Sequence, residues 1–260
     1  MEEGTKNGLK AKMRRGEKIL GTFFELGGAA TVECLGLAGF HFFIIDTEHG
    51  PFDVESALDF VRAAELRKIA PLVRVKDATR SSILKMLDIG AQGLIIPCIR
   101  TVDEVQRLVE YGKYYPLGRR GFATTRVASF GFEPGLKNIE DWFDRTNAET
   151  LIIPQCETAE CLENIEEIAA IEGVDGIFVG PYDLSVALGK PTQFDNPAYI
   201  AALSRILKAC KDAGKFSFIY SGDEAETKRH FADGFDAVAF GMDAMFLVNA
   251  CRALIGRIKP

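Results

Sequence analysis

Five side chains in this sequence have the types and spacing to hold a cation, steady an oxyanion and move a proton: His49, Arg74, Gln155, Glu157 and Asp183. Glu157 closes the apolar run from Leu151, and Asp183 follows the run Ile177 to Val179, so each carboxylate stands where a buried strand should give way to a loop. Two carboxylates from neighbouring strand ends could share one hard cation such as Mg²⁺ or Mn²⁺, which keeps positions open for water and substrate oxygens. Solvated loop acids are the plainer reading of the same spacing. Side chains alternate along a strand, so Gln155 and Glu157 should project together toward the strand's mouth end while Cys156 turns to the other layer.

Arg74 interrupts the apolar stretch Leu72 to Val75, where a guanidinium is costly unless it is paired or faces a polar cavity. It could clamp a carboxylate and steady a developing oxyanion, or form a structural ion pair inside the fold. His49, in the turn Asp46-Thr47-Glu48-His49-Gly50-Pro51, is the best base of the three histidines; His41 and His230 read as surface groups. Gly180-Pro181-Tyr182-Asp183 could offer the N–H groups of Gly180 and Tyr182 to an anion, Pro181 having none.

These residues need a scaffold that brings distant strand ends together. Strand-like runs at Ile19 to Phe24, Phe42 to Asp46, Pro71 to Val75, Gly93 to Pro97, Leu151 to Glu157, Gly176 to Val179, Phe216 to Tyr220 and Ala237 to Gly241 alternate with amphipathic stretches. The helix readings are Val54 to Glu65, Arg80 to Ile89, Val102 to Tyr111, Thr158 to Ala170, Tyr199 to Ala213, Glu224 to Ala232 and Ala244 to Ile258. Apolar strands separated by helices imply a parallel sheet covered on its outer face. Repeated βα units in 260 residues predict an α/β, (β/α)8 TIM barrel as a single domain over residues 1–260, with a doubly wound open sheet as the alternative. The connection from Tyr114 to Ala148 is long and rich in Gly, Arg and aromatics, which predicts a lid or a subunit contact.

A formal net charge of −6 argues against nucleic-acid binding, and the basic patches Lys10 to Arg15 and Arg119-Arg120 are short. The polar, charged stretch from Glu2 to Lys18 lacks the apolar core of a secretory signal. Leu35 to Ile45 is about half the ~20 residues that a bilayer requires, and reads as a helix end, a turn and a strand. No membrane partner is expected. Cys34, Cys98, Cys156, Cys161, Cys210 and Cys251 form no CxxC pair and read as reduced core thiols, which predicts a cytoplasmic protein.

Six ordered segments together resemble the HpcH/HpaI aldolase family, the metal-dependent class II pyruvate aldolases of the phosphoenolpyruvate/pyruvate barrel superfamily. They are Gly39-Phe40 with Ile44 to Pro51, Pro71 to Val75, Leu87 to Ala91, Gly118 to Gly121, Gln155 to Thr158, and Val174 to Ser185. The resemblance implies a homo-oligomer, often a hexamer, that reversibly cleaves a 4-hydroxy-2-oxoacid to pyruvate and an aldehyde through a metal-stabilised enolate. It implies that Glu157 and Asp183 hold Mg²⁺ or Mn²⁺, with Co²⁺ a further option. By the same analogy Gln155, Gly180 and the Tyr182 amide lie with the keto acid, Arg74 stabilises the enolate, and His49 is the base, made more basic by Asp88. No Schiff-base lysine ends a proposed strand. Thr47 stands where glycine is frequent in the family, and Tyr182 where alanine is common, which leaves the aldehyde open. Decarboxylation of oxaloacetate at the same kind of site is the alternative enzyme reading, and a barrel that only binds a keto acid is the alternative without catalysis.

Overall fold

The computed structural model describes residues 8–259. Residues 1–7 and Pro260 lie outside the described residues, and with them the start of the charged stretch read from Glu2. Among the described residues β1 (Ile19–Phe24), β2 (Phe42–Asp46), β3 (Ala70–Arg74), β4 (Gly93–Ile96), β5 (Leu151–Cys156), β6 (Gly176–Val179), β7 (Phe216–Ser221) and β8 (Ala237–Met242) close in chain order. Every adjacent pair is parallel, β1 with β8 included, so the fold is a single-domain (β/α)8 barrel and not an open sheet.

Alternation along the strands separates two apolar layers. Phe23, Phe42, Ile44, Leu72, Ile95, Ile153, Phe178 and Phe218 fill the barrel interior. Phe24, Phe43, Ile45, Val73, Ile96, Ile152, Val179 and Ile219 pack outward against the helices. Gly21 is needed where the interior is tightest, since a Cβ there would lie 2.4 Å from the Phe42 ring.

The helices are α1 (Gly8–Arg14), α2 (Ala29–Ala38), α3 (Val54–Arg67), α4 (Arg80–Asp88), α5 (Val102–Gly112), α6 (Ile139–Glu149), α7 (Ala159–Glu163), α8 (Ile165–Ala170), α9 (Pro181–Ala187), α10 (Pro197–Asp212), α11 (Glu224–Asp233) and α12 (Asp243–Ile258). Side-chain caps start several of them: Asp53 and Thr101 each close a capping box, and Asp223 accepts from Ala225 and Glu226. The stretch Thr158 to Ala170 is two helices, because Asn164 leaves helical geometry between them. None of these helices is long and apolar enough to cross a membrane.

The connection between α5 and β5 is anchored at the face opposite the strands' C-terminal ends. Arg120 donates to Asp88 at the end of α4, Arg126 to Glu65 and to the Ile89 carbonyl, and Asn147 exchanges two hydrogen bonds with the Tyr114 backbone. Tyr114, Ala128 and Trp142 form its small core, while Phe130 and Phe132 are exposed. Anchored there, the segment does not cover its own chain's mouth.

His230 and three of the cysteines depart from the sequence reading. His230 is buried in α11, with Glu226 Oε1 3.7 Å away and no hydrogen bond to either ring nitrogen, because the helix turns it inward onto Phe235. Burial holds its pKa below the usual histidine value. Cys156, Cys161 and Cys210 are core thiols as expected, but Cys34, Cys98 and Cys251 are exposed, and none of the six is paired.

Lys113, fully buried, ties several elements together: its ammonium donates to the carbonyls of Asn147 and Thr150 and, at 2.8 Å, to Asp175, which also pairs with Lys10. Burial lowers its pKa to about 8, against the pull of Asp175. Lys113→Met is therefore expected to destabilise the fold by roughly 3–5 kcal/mol, read as a lower midpoint in urea unfolding, because the Asp175 carboxylate loses its best-buried partner. A change within 0.5 kcal/mol or so would contradict that role.

Candidate active site

The C-terminal ends of the strands, where barrel enzymes place their sites, carry most of the residues singled out from the sequence. Asp46 and Arg74 are register partners at the ends of β2 and β3. The guanidinium spans the Asp46 carboxylate, Nε to Oδ1 at 2.9 Å and Nη2 to Oδ2 at 2.5 Å, and Nε lies 3.3 Å from Glu48 Oε2. It sits 4.9 Å above the Phe23 ring. Burial would push the Asp46 carboxyl up, but the bond and charge from Arg74 and the N–H groups of Glu48 and His49 hold it below the usual range. The guanidinium, itself penalised by burial, is made more basic by Asp46, Glu48 and Glu157. Arg74 thus forms the interior ion pair and still senses the Glu157 carboxylate just past β5.

Glu157 is buried, one residue beyond β5. Its Oε1 accepts from the Cys98 N–H at 2.6 Å and its Oε2 from the Gln155 amide, so both oxygens are held in place. Burial raises its pKa and the charge of Asp183 adds to the rise, while the Cys98 N–H, Gln155 and Arg74 oppose it. Cys98 donates from a left-handed conformation, φ +57°, an uncommon one for a residue with a side chain. Cys156 faces the outer core, as strand alternation requires. Asp183 is exposed, in the first turn of α9.

His49 stands at the rim, its side chain 71% exposed, with Nε2 4.0 Å from Glu48 Oε2. Asp88 is not its partner within the chain. Asp88 ends α4, just ahead of β4, so the whole length of the barrel separates it from the mouth, and it is held by Arg120 at 2.8 Å. Glu48 is the carboxylate beside the imidazole. Gly180 does not present a free N–H either: it donates to the Cys156 carbonyl at 3.4 Å. The Tyr182 N–H, in the first turn of α9, has no acceptor within the helix.

Sequence reasoning gave Asp46 and Glu48 no role beyond the turn that carries His49, and passed over Glu25 and Asp243. The last two follow β1 and β8, and Asp243 accepts from the Glu25 and Leu26 N–H groups at 2.9 and 3.1 Å. Aligning the ends of adjacent strands would have matched Asp46 with Arg74; the others become neighbours only when the barrel closes.

The residues at the mouth fit a divalent cation. Gln155 Oε1 is buried with no hydrogen-bond partner, and the Glu157 carboxylate is desolvated beside a second acid. Gly180 leaves the space over them open: a Cβ there would lie 2.8 Å from both Gln155 Nε2 and Glu157 Oε2. Among the described residues there is no group of three or more His, Cys, Asp or Glu that could hold a metal ion, and Glu157 with Asp183 makes a pair. A pair suits a cation that fills its other positions with water and substrate.

Fold and mouth define a (β/α)8 barrel whose C-terminal face joins a carboxylate pair to a buried arginine. The sequence model of the HpcH/HpaI aldolase/citrate lyase family matches residues 20–250, and the chain belongs to that family. It is 33% identical over 255 residues to a hydroxypyruvate/pyruvate aldolase of Roseobacter denitrificans, with 97% of each chain covered. It is 31% identical over 251 residues to a 4-hydroxy-2-oxo-heptane-1,7-dioate aldolase of Shigella sonnei, covering 96% of this chain and 94% of the other. The crystal structure of an HpcH/HpaI aldolase/citrate lyase family protein from Burkholderia cenocepacia superposes with a TM-score of 0.89 at 32% identity, over 98% of this chain and 100% of that one. The family is divalent-metal dependent.

Proposed function

We propose that this chain is a pyruvate aldolase, a carbon–carbon lyase that reversibly converts a 4-hydroxy-2-oxoacid to pyruvate and an aldehyde. The observation that carries the reading is the buried Glu157, fixed by Cys98 and Gln155 beside Asp183 and within the field of Arg74. Glu157 and Asp183 would hold the cation, Mg²⁺ or Mn²⁺ in preference to Co²⁺ because both ligands are hard oxygens. When bound it supplies Lewis acidity at the 2-oxo group.

The protein groups supply the rest. Arg74, held rigidly by Asp46, offsets negative charge that develops on the keto acid as the C3–C4 bond breaks. Gln155 keeps Glu157 in orientation and has an acceptor oxygen to spare for the ligand. The Tyr182 N–H can receive the keto acid's carboxylate. His49 takes the proton from the C4 hydroxyl, and Glu48 stabilises the imidazolium that results.

A homo-oligomer, a hexamer by family resemblance, is supported by α12, of whose residues Asp243 alone is buried while Met245, Leu247, Val248, Leu254, Ile255 and Ile258 are exposed. In such an assembly the segment 114–148 is a subunit contact. The unpaired cysteines favour a cytoplasmic setting.

Purified protein with Mn²⁺ or Mg²⁺ should release pyruvate from 4-hydroxy-2-oxoacids and stop when EDTA is added; activity that survives complete metal removal rejects the reading. His49→Ala should keep its Mn²⁺ affinity while turnover falls roughly 10²–10⁴-fold. Equal turnover in the variant would move the base elsewhere.

A further inference from the structure

An aromatic arc lines the mouth on the side of β6, β7 and β1. The Tyr182 ring is half exposed and packs edge-on against Phe194 at 5.4 Å and tilted against Tyr220 at 6.0 Å. Tyr220, near the end of β7, meets Phe23 of β1 at 5.8 Å, and Phe23 carries the Arg74 guanidinium over its face. Ala239 on the intervening strand β8 is the register partner of Tyr220, and its methyl group lets the two larger rings meet. The arc therefore runs unbroken from the residue beside Asp183 to the arginine.

Carboxylates crowd the mouth around this arc. Glu25, Glu48, Glu157, Asp183 and Asp243 all follow strand ends at the mouth. Arg74 acts on Glu25, Glu48 and Glu157 but is already engaged by Asp46 and Glu48, and the His49 ring lies beside Glu48. An aldehyde with a distal carboxylate would add a negative charge to a mouth already lined by these acids. A polyhydroxylated aldehyde would lay hydroxyls against ring faces that leave them poorly paired. A flat or branched apolar aldehyde loses nothing there and gains the exposed face of Tyr182.

We infer, resting on the pyruvate aldolase reading above, that the aldehyde partner is an uncharged aryl or bulky alkyl aldehyde lying on Tyr182, and that Tyr182 and Tyr220 select it over carboxylate-bearing aldehydes. In the synthetic direction C3 of pyruvate gives up a proton and its electron pair forms the C3–C4 bond to the aldehyde carbon. The aldehyde oxygen takes a proton through His49 and becomes the C4 hydroxyl. The sum is pyruvate plus aldehyde, with no further reactant.

The test supplies the Mn²⁺-loaded protein with pyruvate and an equimolar mixture of benzaldehyde and succinic semialdehyde, and measures the ratio of the two adducts. Deuterium uptake into the pyruvate methyl group is followed by NMR in parallel. The phenyl adduct should exceed the carboxylated one by about tenfold or more, within the range a shaped pocket can discriminate. Tyr182→Ala and Tyr220→Leu should each pull the ratio toward one, and Tyr182→Phe should keep it. Deuterium uptake together with a parental ratio near one, or a ratio unmoved by the alanine and leucine changes, overturns the inference and leaves the pyruvate reading standing. No deuterium uptake at all removes that reading and this inference with it.

Discussion

Replacing Glu157 by alanine is expected to abolish Mn²⁺ binding and reduce pyruvate release to background while the barrel stays folded. Loss of even an outer partner of a metal ligand costs about 10–100-fold in metal affinity, so loss of one ligand of a two-carboxylate set should cost more than that. The fold should survive because two effects oppose each other. Removing a buried carboxyl whose pKa is raised by burial and by Asp183 relieves desolvation and repulsion. It also strips the acceptor from the Cys98 N–H and the Gln155 amide, a penalty of roughly 1–3 kcal/mol for each donor left unpaired. Titration of Mn²⁺ by its electron paramagnetic resonance signal, beside a circular dichroism melt, separates the outcomes. Unaltered Mn²⁺ affinity in a folded variant would falsify the assignment, and Gln155→Leu should fall between parent and Glu157→Ala.

Arg74→Met should reduce kcat/KM by about 10²–10³-fold, the cost of losing one preorganised donor to a developing oxyanion. It should also destabilise the protein by roughly 3–5 kcal/mol, because Asp46 would stay buried without its cation. The two effects can be pulled apart. Adding Asp46→Asn to Arg74→Met removes the stranded charge and should recover much of the stability but none of the activity. Recovery of both would make Arg74 a structural residue alone. The pH dependence has a definite sign. Arg74 holds the Asp46 carboxyl below its ordinary value of 3.8, so the pair's contribution is complete above that pH and is lost only as acid carries the solution through the lower, folded-state value.

The strands were the most legible part of the molecule. Phe42–Asp46 and Gly176–Val179 are found with the bounds read from sequence, because a strand buried on both faces must be apolar throughout and its ends show as the first charge or glycine. Helices were less plain where that contrast is weak. α2, with Ala, Gly and Leu spread over all its faces, showed only its end, and α9 was read as a Gly-Pro turn because it is seven residues long. The 114–148 segment shows why composition alone is not enough: Trp142 is buried as its size suggests, yet Phe132 is 87% exposed.

At the mouth, side-chain type and strand alternation were enough to single out Arg74, Gln155, Glu157, Asp183 and His49, since these are local properties of where an apolar run stops. Which groups meet was a different matter. That Arg74 binds Asp46, that Glu48 and not Asp88 lies beside His49, that Gly180 spends its N–H on Cys156, and that Tyr182, Tyr220 and Phe23 form one arc depend on register and barrel closure. Residues up to 218 positions apart, Asp243 and Glu25, are brought into hydrogen bonding by the pairing of β1 with β8. The order of residues dictates each strand and the chemistry at its tip, whereas contacts between tips are made by the closed sheet, whose geometry belongs to all eight strands at once.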